Sequence, residues 1–143
     1  MTISTADPTL ASELRLAVMR LTRRLRRERV DDSLTTTQVS ALASIERSGE
    51  ISLGELAALE YVQPPSMTRV VAGLEQLDLV RRAAHPTDGR QVLLEATDAG
   101  RRLLAVDRER REAWLYHRLR ELSEDDRTTL RSAARIIERL AQS

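Results

Sequence analysis

Few side chains in this sequence could do chemistry, and they gather in one stretch. From Pro64 to Leu77, stepping at about 100° per residue puts Met67, Val70, Val71, Leu74 and Leu77 on one side. Pro65, Thr68, Arg69, Ala72 and Gln76 fall on the other. That outer face is small and polar apart from one guanidinium, so it can lie close against a large flat partner. Two β-like runs follow, VRRAA at 80–84 and QVLLE at 91–95, joined by HPTDGR at 85–90. Asp88-Gly89 is a hairpin signal, and Arg90 makes the tip basic. A polar-faced helix followed at once by a basic-tipped hairpin suggests a winged helix-turn-helix.

Catalysis has no comparable constellation. There is no Ser-His-Asp set in a convincing context, no Gly-rich phosphate loop and no metal-ligand spacing. Cysteine is absent, which excludes disulfides, thiolate metal sites and thiol sensing. His85 and His117 are the only imidazoles, and the carboxylates stand mostly beside arginines. No cofactor is expected, and an enzyme is the weaker class.

The elements around the stretch are helical. At 143 residues the chain is long enough for one domain with a proper core. Phenylalanine is absent and Trp114, Tyr61 and Tyr116 are the only aromatics, so the core must be aliphatic, which suits helices packed on helices. No apolar run is long enough to span a membrane and no secretory pattern opens the chain, which points to the cytoplasm. Net charge is +1, so no global basic field announces a nucleic acid. Residues 61–97 are neutral, with four arginines against four acids.

Residues 1–8 read as frayed. Leu10, Leu14, Ala17/Val18, Leu21 and Leu25 then define a long helix to about Val30, its other faces rich in arginine, with Asp31-Asp32-Ser33 breaking it. Thr35 and Gln38 form a capping box for a helix with Val39, Leu42 and Ile45 inward. Ser52 and Glu55 form a second, opening a short helix through Leu53, Leu56 and Leu59. Beyond the hairpin, Thr97 caps a long helix whose middle, Asp107 to Glu112, reads as a solvated, salt-bridged surface. Ser123 opens a last helix with acids in its first turn and more apolar residues than one narrow stripe needs. The surplus at both chain ends is best explained by a second copy. The expected class is mainly α (α+β), with residues 34–97 a winged helix-turn-helix and 1–33 with 98–143 a helical dimerisation region.

Taken together, LTTTQVSAL, SLGELAALEYVQPPSMTRVVAGLEQLDLVRR and DGRQVLLEAT, in that order and spacing, resemble the MarR family of winged-helix regulators over nearly the whole chain. Two positions depart from the family pattern. Gly89 stands where a second arginine is frequent, and Asp78 stands where glycine usually follows the recognition helix. Asp78 is therefore expected at positive φ. The resemblance implies a homodimeric regulator, usually a repressor, on a pseudo-palindromic operator in double-stranded DNA. It also implies release by a small aromatic or amphipathic ligand.

On that reading the helix from Pro64 enters the major groove. Pro65 and Ser66 sit near base edges or backbone, Thr68 donates to a phosphate, and Arg69 reads guanine. Arg90 enters the minor groove, with Asp88 holding an arginine side chain in place. Thr36, flanked by Thr35 and Thr37 at a helix start, meets phosphates, and Arg82 joins the contact set unless it is an ordinary strand-surface charge. The alternative is a winged-helix protein-interaction module, which the neutral charge of 61–97 keeps open. A steep salt dependence of DNA binding would separate the two.

Overall fold

The computed structural model describes residues 7–29 and 33–143. The frayed start expected at 1–6 and the break expected at Asp31-Asp32 lie outside those residues. In chain order the elements are α1 (Pro8–Arg26), α2 (Thr36–Ser48), β1 (Ile51–Ser52), α3 (Leu53–Leu59), α4 (Pro64–Gln76), β2 (Val80–Ala84), β3 (Val92–Ala96), α5 (Asp98–Arg120) and α6 (Glu124–Ala141). The chain divides into one unit of Met1–Arg29 with Glu109–Ser143 and another of Val30–Arg108. The protein is mainly α, and the second unit is a winged helix-turn-helix.

That unit is built on an aliphatic core. Leu42 and Ile45 of α2, Leu56 of α3, Met67, Val71 and Leu74 of α4 and Leu94 of β3 are all but fully buried. The sheet is antiparallel in the order β1-β3-β2, with Val80 opposite Ala96 and Ile51 opposite Leu94. Helix starts follow the capping chemistry. The Thr35 hydroxyl accepts the Gln38 N–H at 3.1 Å and the Gln38 amide oxygen accepts the Thr35 N–H at 2.9 Å. At α3 only half of the expected box forms, Ser52 Oγ accepting the Glu55 N–H at 3.2 Å. Thr97 Oγ1 accepts the Gly100 N–H at 3.1 Å and donates to the Asp78 carbonyl at 2.6 Å, joining the start of α5 to the end of α4.

The helix ends explain where stepping at helical pitch overshoots. Both α3 and α4 close in Schellman motifs. Tyr61 N–H reaches the Ala58 carbonyl at 3.3 Å and Val62 N–H that of Ala57 at 3.0 Å. Asp78 N–H reaches Glu75 and Leu79 N–H reaches Leu74, both at 3.0 Å. Tyr61 and Asp78 take the left-handed positions with φ of 54° and 58°, as expected for Asp78 alone. The chain reverses there, so Leu59 and Leu77, read as inward, are 54% and 48% exposed. Leu79, folded back by the reversal, is buried instead. The first half of α5 belongs to this core through Gly100 and Leu104. Asp107 is another departure. The charged run around it suggests a solvated side chain, but it is 2% exposed and makes a polar interaction.

In the other unit, α1 begins two residues ahead of its apolar stripe. Asp7 Oδ1 accepts the Thr9 N–H at 2.9 Å and Pro8 occupies the first turn, where it costs no hydrogen bond. Ser123 Oγ caps α6 through the Asp126 N–H at 3.1 Å. The Arg24 guanidinium lies 4.3 Å from the Trp114 ring centre, within cation–π range, and pairs with Glu28 at 2.8 Å. No residue of α1 or α6 is buried. Leu10, Val18, Met19 and Leu21 of α1 and Leu130, Ile136, Ile137 and Leu140 of α6 are exposed apolar side chains.

Candidate nucleic-acid interface

All the side chains singled out above lie within the winged unit. On α4 the sorting is complete: Met67, Val71 and Leu74 face the core, and Pro65, Ser66, Thr68, Arg69, Ala72 and Gln76 are exposed. Burial of the first three fixes the rotation of the helix, so the polar set must point away from the protein. A Cβ at Gly73 would come within 2.6 Å of Gln38 Nε2, the end of the side chain whose amide oxygen caps α2. Thr36 is exposed at the first turn of α2, beside the Thr35 cap.

Three of the expected roles change. The Thr68 hydroxyl donates to the Pro64 carbonyl at 3.0 Å, so it offers a partner its lone pairs rather than a proton. Asp88 does not hold a guanidinium. Its Oδ1 accepts the backbone N–H of Arg90 at 3.1 Å, an Asx turn that shapes the loop. Arg82 Nε lies 2.7 Å from Glu75 Oε1, which ties β2 to α4.

The wing loop is organised by His85. His85 Nδ1 accepts the N–H groups of Thr87 at 3.2 Å and Asp88 at 3.0 Å, which puts the ring proton on Nε2. Gln91 N–H closes on the Asp88 carbonyl at 3.1 Å and His85 N–H on the Gln91 carbonyl at 3.2 Å. The Asp-Gly pair therefore sits in a wider loop than a two-residue hairpin. Gly89 needs no positive φ, and a Cβ on it would meet nothing within 4 Å.

The charges of 61–97 balance by count but not by position. Arg81 pairs with Glu95 at 2.6 Å and Arg82 with Glu75 at 2.7 Å. Arg69 and Arg90 are exposed and enter no ion pair among the described residues. The two unpaired guanidiniums are thus the one on the outer face of α4 and the one at the wing tip.

Sequence reasoning missed Glu60. Its two carboxylate oxygens accept from Ser40, at 2.7 Å, and from Ser44, both on α2. Arg47 in turn donates to Ser44 Oγ at 3.2 Å. This clamp anchors the turn between α3 and α4. The available signal was that Leu59 to Pro64 contains no glycine, so an ordinary residue had to take the reversal.

Residues 34–92 match the MarR family. An HTH-type transcriptional regulator of Mycobacterium tuberculosis is 46% identical over 129 residues, 90% of each chain. The chain belongs to the MarR family. The HTH-type transcriptional repressor MdtR of Bacillus subtilis is 28% identical over 94% of this chain and 87% of its own. A MarR family protein from Bacillus stearothermophilus, 22% identical, shares the fold with a TM-score of 0.81 over 97% of this chain and all of that one. Family and relatives are transcriptional regulators rather than enzymes, and the chain is a DNA-binding regulator of that class. Among the described residues no helix is long and apolar enough to cross a membrane.

Proposed function

We propose that the protein is a homodimeric cytoplasmic repressor whose two winged units occupy the half-sites of a pseudo-palindromic operator. The observation that carries the DNA geometry is the placement of the two unpaired guanidiniums. Arg69 faces outward from α4, where a fork can read guanine O6 and N7, and Arg90 tips the wing, where it can follow a minor groove. Pro65 and Ser66 stand in the exposed first turn of α4, near base edges or backbone, and Thr36 in the exposed first turn of α2, where its hydroxyl can meet a phosphate. Exposed apolar side chains along α1 and α6 support the dimer, because a second copy would cover them. That the Bacillus subtilis relative MdtR is a transcriptional repressor supports repression. Release by a small aromatic or amphipathic ligand rests on family resemblance.

The test is to recover the genomic fragments retained by the purified protein and titrate one, labelled, at several salt concentrations. Binding that weakens with a slope near −0.9 per phosphate contact supports the reading. Retention of no fragment, or a flat salt response, would leave the winged unit as a protein-interaction module.

A further inference from the structure

Tyr61 stands in the turn between α3 and α4 with φ of 54° and is 97% exposed. A bulky side chain in the left-handed region is an outlier that glycine would relieve, and the ring packs against almost nothing in return. Its position is nonetheless fixed. The turn is held by the Schellman hydrogen bonds on either side of Tyr61 and by the Glu60 carboxylate bound to Ser40 and Ser44. The fold therefore keeps an unfavourable backbone and projects a phenol into solvent from a rigid base.

We propose that Tyr61 is a DNA-backbone contact, its O–H donating to a phosphate on the rim of the major groove that α4 enters. This rests on the DNA-binding geometry proposed above. Tyr61 precedes Pro64 by three residues, so its Cα lies at most about 10–11 Å from the start of α4. The major groove is about 12 Å wide. A side chain within that reach of a helix end seated in the groove can meet the flanking phosphates. Phenolic hydroxyls are among the side-chain groups that make such contacts, which position a protein without reading sequence. The nearby acid, Glu60, has both oxygens occupied by serine hydroxyls and leaves the phenol's proton uncontested.

The experiment compares Tyr61→Phe, Tyr61→Gly and Arg69→Ala with the parent by anisotropy on a retained fragment and on an unrelated duplex, beside thermal melts. Tyr61→Phe is expected to melt like the parent and bind both duplexes about a hundredfold more weakly, roughly tenfold for the charge-assisted hydrogen bond lost in each of the two subunits. Tyr61→Gly should bind at least as weakly while melting higher. Affinity of Tyr61→Phe equal to the parent's, with Arg69→Ala impaired, would overturn the role of Tyr61 and leave the DNA geometry intact. Parental affinity in both variants would overturn the DNA geometry and the Tyr61 contact together. A loss confined to one operator position would also overturn the proposal, since a phosphate contact carries no base preference.

Discussion

Replacing Glu75 by glutamine should tighten DNA binding. Glu75 sits near the end of α4 and holds Arg82 of β2 at 2.7 Å, with the two side chains 30% and 45% exposed. At that exposure solvent screens the pair, and its contribution to stability is about 0.2–1 kcal/mol, so the variant should fold and melt close to the parent. Its effect on the interface is larger. One negative charge leaves the neighbourhood of α4, and the Arg82 guanidinium becomes available to a phosphate. One added phosphate contact per subunit steepens the salt slope of a dimer by about 1.8. Between 200 and 50 mM salt the advantage of the variant should then grow by about twelvefold, the fourfold dilution raised to that power. Anisotropy titrations of one labelled fragment at four salt concentrations would measure both slopes. An unchanged slope would show that Arg82 does not reach DNA even when released. A weaker affinity at unchanged slope would instead mean that the ion pair sets the angle between α4 and the wing, and the reasoning from charge would be wrong.

Four further outcomes are expected. Asp78→Gly removes a side chain from a left-handed position where it has no hydrogen-bond partner, and should stabilise by about 0.5–1 kcal/mol, seen as a rise in Tm at matched concentration. Gly100→Ala drives a Cβ into the Leu79 carbonyl and to 3.2 Å from Leu42 Cδ1, and should cost about 1–3 kcal/mol in denaturant unfolding. Arg69→Ala should flatten preference at one position of each half-site at a cost of about 1–3 kcal/mol, whereas Arg90→Ala should weaken sites with A·T-rich flanks and lower the salt slope by about one per subunit, both read by competition titration. Ile137→Glu should convert a dimer to monomer in sedimentation, because a second copy would have to bury an unpaired charge.

The fold was largely legible because its signals are local. The Thr35–Gln38 box, the Thr97 and Ser123 caps and the inward positions of α2 and α4 each depend on residues a few places apart, and each forms as the spacing indicated. Where the reading slipped, the reason was a helix end. Leu59 and Leu77 continue the apolar period, but the Schellman reversals stop each helix before the period can be used. Glycine marks such a reversal in most sequences, and here tyrosine and aspartate occupy it. The acid at 107 misled for a related reason. It belongs by composition to an exposed charged run, and only packing reveals that it is buried.

The candidate site was legible in its residues and not in its charges. A list of residues gives 61–97 no net charge, which argues weakly against a polyanion as partner. What pairing adds is which charges are occupied. Glu75 and Glu95 bind Arg82 and Arg81 across the helix–strand and strand–strand contacts, and a charge count does not reveal it. Once those pairs are removed, the arginines left over are Arg69 and Arg90, one on each of the two elements that a groove-binding winged helix presents to DNA. The same sorting gives Asp88 its place. Bound to the Arg90 N–H, it is a backbone device that shapes the loop carrying the guanidinium, and its charge is local to that loop. Asp78 and Asp88 remain beside Arg69 and Arg90 once the pairs are removed, so the stretch stays neutral; what three-dimensional pairing decides is which guanidiniums stand free for a partner, one on the outer face of α4 and one at the wing tip.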